Sequence, residues 1–162
     1  KVVYEPNMED YLLCHAAFVL PAAFACYKTD GNLKKLKGNT AYLNRMIDAS
    51  IEGYRAIRNA GHTILPKADE NFESTAYRIC LRFFKLMCAT SLGKLCASDH
   101  AMNAVDEMSG LNRDMKAFFD ANGADYPVWH ALEKEAGRYL RCNMQACPWG
   151  CGCCSRHPSA GS

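Results

Sequence analysis

Three groups of residues in this sequence combine types and spacing suited to chemistry. His100, Asn103, Glu107 and Asp114 follow one another at steps of three, four and seven, which places them near one line along a helix surface. At about 100° per residue, His100 and Glu107 lie beside the stripe of Met108, Leu111 and Phe118 and so border the core. A carboxylate at such a border is partly desolvated and can accept a hydrogen bond from a ligand hydroxyl; the plainer alternative is the wet flank of an amphipathic helix. The second candidate is His15, a strongly polar side chain inside the apolar run from Tyr11 to Cys26. A buried imidazole there needs a partner, either a ligand in a cleft or a neighbour in the core. His62, just after Gly61, and His130, beside Trp129, have weaker claims.

The third group is the tail, with Cys142, Cys147, Cys151, Cys153, Cys154 and His157. Thiolates and an imidazole suit zinc, but no paired Cys-x2-Cys knuckle is present to close a tetrahedral site. A metal site and an oxidation-prone tail without a packed core both stay open, and no residue is assigned as a metal ligand.

The elements that must hold these groups read as helices. Residues 9 to 29 form a first helix in which Pro21 removes a backbone donor and kinks or tightens the turn. Asp30-Gly31-Asn32 then signals a turn. A second helix follows Gly38-Asn39-Thr40, buries Leu43, Met46, Ile47, Tyr54 and Ile57, and ends at Gly61, placed for a left-handed C-cap. A third, roughly 71 to 91, places Phe72, Ala76, Ile79, Phe83, Leu86 and Met87 on one face. After a loop around Gly93, Ser98 or Asp99 caps a fourth helix, with Ala101, Ala104, Met108, Leu111, Met115, Phe118 and Phe119 recurring up to Asn122-Gly123. Pro127 starts a fifth, carrying Trp129, Leu132, Ala136 and Leu140. No segment alternates at period two, so the expected fold is all-α. It consists of about five main helices in residues 1–140, followed by a Cys-rich tail over 141–162.

Composition narrows the function classes. The 162 residues carry 19 Lys+Arg against 17 Asp+Glu, and a net charge of +2 gives no long-range field of the kind a dedicated nucleic-acid binder uses. With 49% hydrophobic residues, one domain with a real core is expected. Half of the ten cysteines crowd into the tail and the rest sit in apolar helical patterns, against a disulfide scaffold. Glu5, Glu9 and Asp10 make the segment before the apolar run acidic, unlike a signal peptide. The run itself falls short of the roughly 20 residues that cross a bilayer, so a cytoplasmic location is expected. The nucleotide-binding loops and the His-Glu-x-x-His and Gly-x-Ser-x-Gly motifs are missing, which argues against a self-contained enzyme.

Taken in order, HAAFVLPAAFACY, IEGYRAIRNAGHTILP and HAMNAVDEMSGL resemble the C-terminal helical domain of the ketopantoate reductase (2-dehydropantoate 2-reductase) family, over most of residues 9 to 140. The resemblance implies a fold like the 6-phosphogluconate dehydrogenase C-terminal domain. It also implies a preceding Rossmann domain that binds NADP, a homodimer, and reduction of a 2-oxo acid or related carbonyl compound. Glu107, within VDEM, matches the family's substrate-binding glutamate, with His100 and Asn103 beside it. The family's proton-donating lysine has no counterpart, because no lysine occurs from Val2 to Tyr27. Either His15 or water then donates the proton, or the substrate differs, or the reaction is lost. A non-catalytic helical dimerisation module is the alternative reading.

Overall fold

The computed structural model describes residues 7–140, and every regular element among them is helical. Six α-helices follow one another: α1 Met8–Lys28, α2 Thr40–Asn59, α3 Thr75–Ala89, α4 Asp99–Asn103, α5 Val105–Ala121 and α6 Pro127–Ala136. Short 3-10 turns over Leu33–Leu36, Lys67–Asn71 and Gly137–Tyr139, and a π-helical turn over Lys94–Ser98, connect them.

α1 is the central helix. It packs against α2, α5 and α6, and α2 in turn meets α3 and α6. Its Cys14, Ala16, Ala17, Leu20 and the run Ala23 to Tyr27 are all buried, which explains an apolar pattern without a single preferred side. By length and composition this helix is also able to cross a membrane; here 56% of its apolar window is buried inside the fold. The helix runs through Pro21, which leaves the Ala17 carbonyl without its helical donor. At the same level α2 approaches most closely: a Cβ on Gly53 would stand 2.8 Å from the Cβ of Ala17 and 3.4 Å from the Trp129 ring. Only a residue without a side chain lets the helices close to this distance.

The ends of α2 follow the expected signals. The Asn39 side chain accepts from the Tyr42 amide at 3.0 Å. At the other end Gly61 adopts φ +89°, with Gly61 N–H donating to Arg58 and His62 N–H to Ile57, the Schellman pattern. Pro127 opens α6, and Glu52 of α2 completes that start: its carboxylate accepts from the amides of Val128 at 3.0 Å and Trp129 at 2.8 Å. Trp129 is fully buried between Phe24 and Phe119, both edge to face, and donates its indole N–H to Asn112 at 3.0 Å. Asn112 passes the chain of bonds to Glu133, which pairs with Lys116. On the opposite flank Glu135 binds both Lys28 and Arg45 and so ties α6 to α1 and α2.

Three expectations need correction. The fourth helix is not continuous: Ala104 leaves helical geometry at φ −115° and ψ 34°, which separates α4 from α5. Neither Ser98 nor Asp99 caps a helix start, because both are helical themselves and continue the preceding π turn. Finally, α3 buries Phe84, Met87 and Cys88, whereas Ile79, Phe83 and Leu86 are exposed. Apolar residues occupy two adjacent stripes of this helix, and periodicity by itself cannot say which stripe meets the core.

Candidate functional site

Tyr11, His15 and Phe18 stand at i, i+4 and i+7 on α1 and share one face. Opposite them runs the segment that follows the C-cap of α2, and two side chains of α1 hold it in place. Asp10 bonds His62 Nδ1 at 2.7 Å and accepts from the Thr63 amide at 3.1 Å. The hydrogen bond from His62 is the chief reason the Asp10 carboxyl lies below its usual range. One turn on, the Cys14 thiol donates to the Thr63 carbonyl and accepts from the Leu65 amide. Burial pushes this thiol up, so it is a protonated clamp and not a thiolate nucleophile.

Between the α1 face and this segment lies a cleft of about 190 Å³. The rings of Tyr11, His15, Phe18 and Tyr54 line it, together with Leu65 and Pro66, whose peptide bond is cis. Asp69, in the following 3-10 turn, supplies the single carboxylate of the lining among the described residues. The Tyr54 hydroxyl donates to Asp69 Oδ2 at 3.0 Å, and desolvation raises the Asp69 carboxyl above its ordinary value. Phe72, packed edge to face on both Phe18 and Tyr54, backs the aromatic wall.

A second depression, of about 270 Å³, lies between α1 and α5. Leu12, Leu13 and Ala16 face Leu111, Met115 and Phe118 across it, and Glu9 and Asp114 put a carboxylate on each side. It occupies the α1 face next to the one that carries His15, about 100° around the helix.

His15 thus lies in the ring-lined cleft, but it is exposed and stacks on Tyr11 with ring centroids 6.1 Å apart; it is not the buried core imidazole the apolar run suggested. His100 and Asn103 are on α4 and Glu107 is on α5, all three exposed, and the break at Ala104 removes the common helix line on which their spacing rested. The Asn103 side chain turns back to the Asp99 carbonyl at 2.7 Å. None of these three lines the His15 cleft. Glu107 instead precedes Leu111 of the α1–α5 depression by one helical turn. His130 is exposed beside Glu133.

Sequence reasoning missed Asp10, Tyr54 and Asp69 and undervalued His62. Asp10 and His62 are 52 positions apart, so no local spacing could have joined them. The tail cysteines and His157 lie outside the described residues. Among the described residues no group of three or more metal-ligating side chains comes together. Cys14, Cys26, Cys80 and Cys88 are free thiols, with Cys26 pushed up to about 11 by burial. The chain matches no family model, no curated protein and no solved structure.

Proposed function

We propose that this helical body is the substrate-side lobe of a two-lobe NADP-dependent oxidoreductase, similar to the 2-dehydropantoate 2-reductases and acting on a 2-oxo acid or related carbonyl compound. The α1–α5 depression is the observation that carries the reading, an apolar hollow between two of the helices to which the resemblance extends, with the exposed carboxylate of Glu107 one turn beyond it. The dinucleotide belongs to the other lobe and supplies a hydride to the carbonyl carbon. Glu107 accepts a hydrogen bond from a substrate hydroxyl and so fixes the orientation of the reacting carbon. His15 faces the cleft on the neighbouring side of α1, so the alkoxide takes its proton from water, which is left as hydroxide.

The test is oxidation of NADPH by the full-length gene product with a panel of 2-oxo acids that includes ketopantoate. Substrate-dependent turnover that falls roughly tenfold to a hundredfold in Glu107→Gln is expected. Absence of turnover with every acid, or turnover indifferent to Glu107→Gln, overturns the reading.

The exposed side of α3 favours a second reading, a module that pairs with another copy of itself. Ile79, Phe83 and Leu86, on successive turns of one α3 face, are 64%, 46% and 51% exposed, an apolar stripe suited to contact with a partner. Light scattering of the pure chain tests it: a dimer dispersed by Phe83→Glu supports this reading, and a monomer removes it.

A further inference from the structure

The ring-lined cleft beside Asp69 is not used by the reduction described above, and its chemistry differs from that of a site for an anionic acid. Among the described residues its walls are aromatic and aliphatic, its one formally charged lining group is a carboxylate, and no lysine or arginine lines it. At about 190 Å³ it is smaller than the roughly 300 Å³ at which drug-sized ligands begin, so it suits a compact group. Among the described residues Asp69 has one hydrogen-bond donor, the Tyr54 hydroxyl on Oδ2, and no ion-pair partner. A half-buried carboxylate with a single neutral donor gains from a cation that restores what desolvation removed. The rings complete the requirement, because an alkylated ammonium ion is attracted to aromatic faces and loses little hydration when it enters an apolar wall.

We propose that this cleft is a binding site for a small free organic ammonium ion, with Asp69 as counter-ion and Tyr11, Phe18 and Tyr54 enclosing its alkyl groups. The three rings come from separate anchors. Tyr11 stands at the mouth, 38% exposed and stacked on His15, Phe18 is braced by Phe72 and Phe84, and Tyr54 is fixed by its bond to Asp69. The segment that closes the other side is tied down through Asp10 and Cys14, so the cleft is formed before a ligand arrives. The site is independent of the reductase reading, and either can fail without the other.

Calorimetric titration of the intact chain with tetramethylammonium tests the assignment, at about pH 8, where imidazole rings ordinarily carry no charge. Saturable binding is expected, and choline should bind at least roughly tenfold more tightly than its neutral carbon isostere 3,3-dimethylbutan-1-ol, which has the same shape without the charge. Asp69→Asn keeps an acceptor for the Tyr54 hydroxyl and should weaken tetramethylammonium roughly tenfold or more. Tyr11→Leu, at the exposed mouth, should weaken it roughly threefold while the fold is unchanged by circular dichroism. No saturable binding by the wild-type chain overturns the proposal, as does equal affinity for choline and its neutral isostere, and both results stand without any variant. Unchanged affinity in a folded Asp69→Asn overturns it as well.

Discussion

Around Trp129 the indole N–H, the Asn112 amide and the first amides of α6 are all paired within the chain, and Gly53 lets α2 close onto α1. The outer side of α3 shows the opposite condition: Ile79, Phe83 and Leu86 repeat at helical spacing and, among the described residues, meet nothing that buries them. Both regions advertise the same thing in sequence, apolar residues on a helix face. What separates them is whether a complementary surface exists. At the Trp129 seam, α1, α2, α5 and α6 provide one on several sides at once, so specificity comes from close approach and matched polar groups. On α3 two adjacent apolar stripes compete for one partner, and the helix can present only one of them to α2 and to Phe18. The first region therefore carries stability, and the second is available for contact with something else.

The contrast can be broken most forcefully at Trp129. Trp129→Ala opens a cavity between Phe24 and Phe119 and strands Asn112, and is expected to cost about 3–5 kcal/mol in denaturant unfolding. A loss near zero would mean that the seam is loosely packed. Gly53→Ala comes next, since the new methyl must push against the Ala17 side chain; a loss of about 1–3 kcal/mol is expected, partly recovered when Ala17→Gly is added in a double-mutant cycle.

A smaller effect is expected at the clamp between α1 and the segment after Gly61. The bond from His62 lowers the Asp10 carboxyl in the folded chain relative to the unfolded one. Its stabilising contribution is therefore complete above the ordinary carboxylate range of about pH 4 and drains away as acid carries the pH down through the folded value. Wild type should lose stability more steeply than Asp10→Asn below about pH 4, as measured by chemical denaturation at a series of pH values. Parallel curves would show that the pair is not linked to folding. The smallest change is predicted on the exposed stripe of α3: Phe83→Ser should alter unfolding by no more than about 0.5 kcal/mol, in contrast to Phe84→Ser one position on, which empties a core site. Equal losses at the two positions would place both stripes in the core.

Much of the framework was legible before any coordinates. The Gly61 C-cap, the Asn39 start of α2, Pro127 at the head of α6 and the all-helical class follow from local rules, since a left-handed turn, a side-chain cap or a missing amide is decided within a few residues. The break at Ala104 was not legible. Nothing in Ala104, Val105 or their neighbours forbids a helix there, and the continuous apolar period from Ala101 to Phe119 argued for one. The candidate site was half legible. His15 and Glu107 were singled out by type and position, yet Tyr54, Asp69 and the segment after Gly61 that surround His15, and the α1 side of the depression near Glu107, lie far away in the chain.

By itself, then, the order of residues determined the all-helical class, the end of α2 at Gly61 and the start of α6 at Pro127, because those properties arise from steric and hydrogen-bonding rules that act over one or two turns. Only the packed structure decided which stripe of α3 faces inward, that His15 is exposed beside Tyr11, and that Asp10 meets His62 and Tyr54 meets Asp69. Those outcomes depend on which surfaces remain free once α1 has been enclosed, a competition among distant segments that no local window contains.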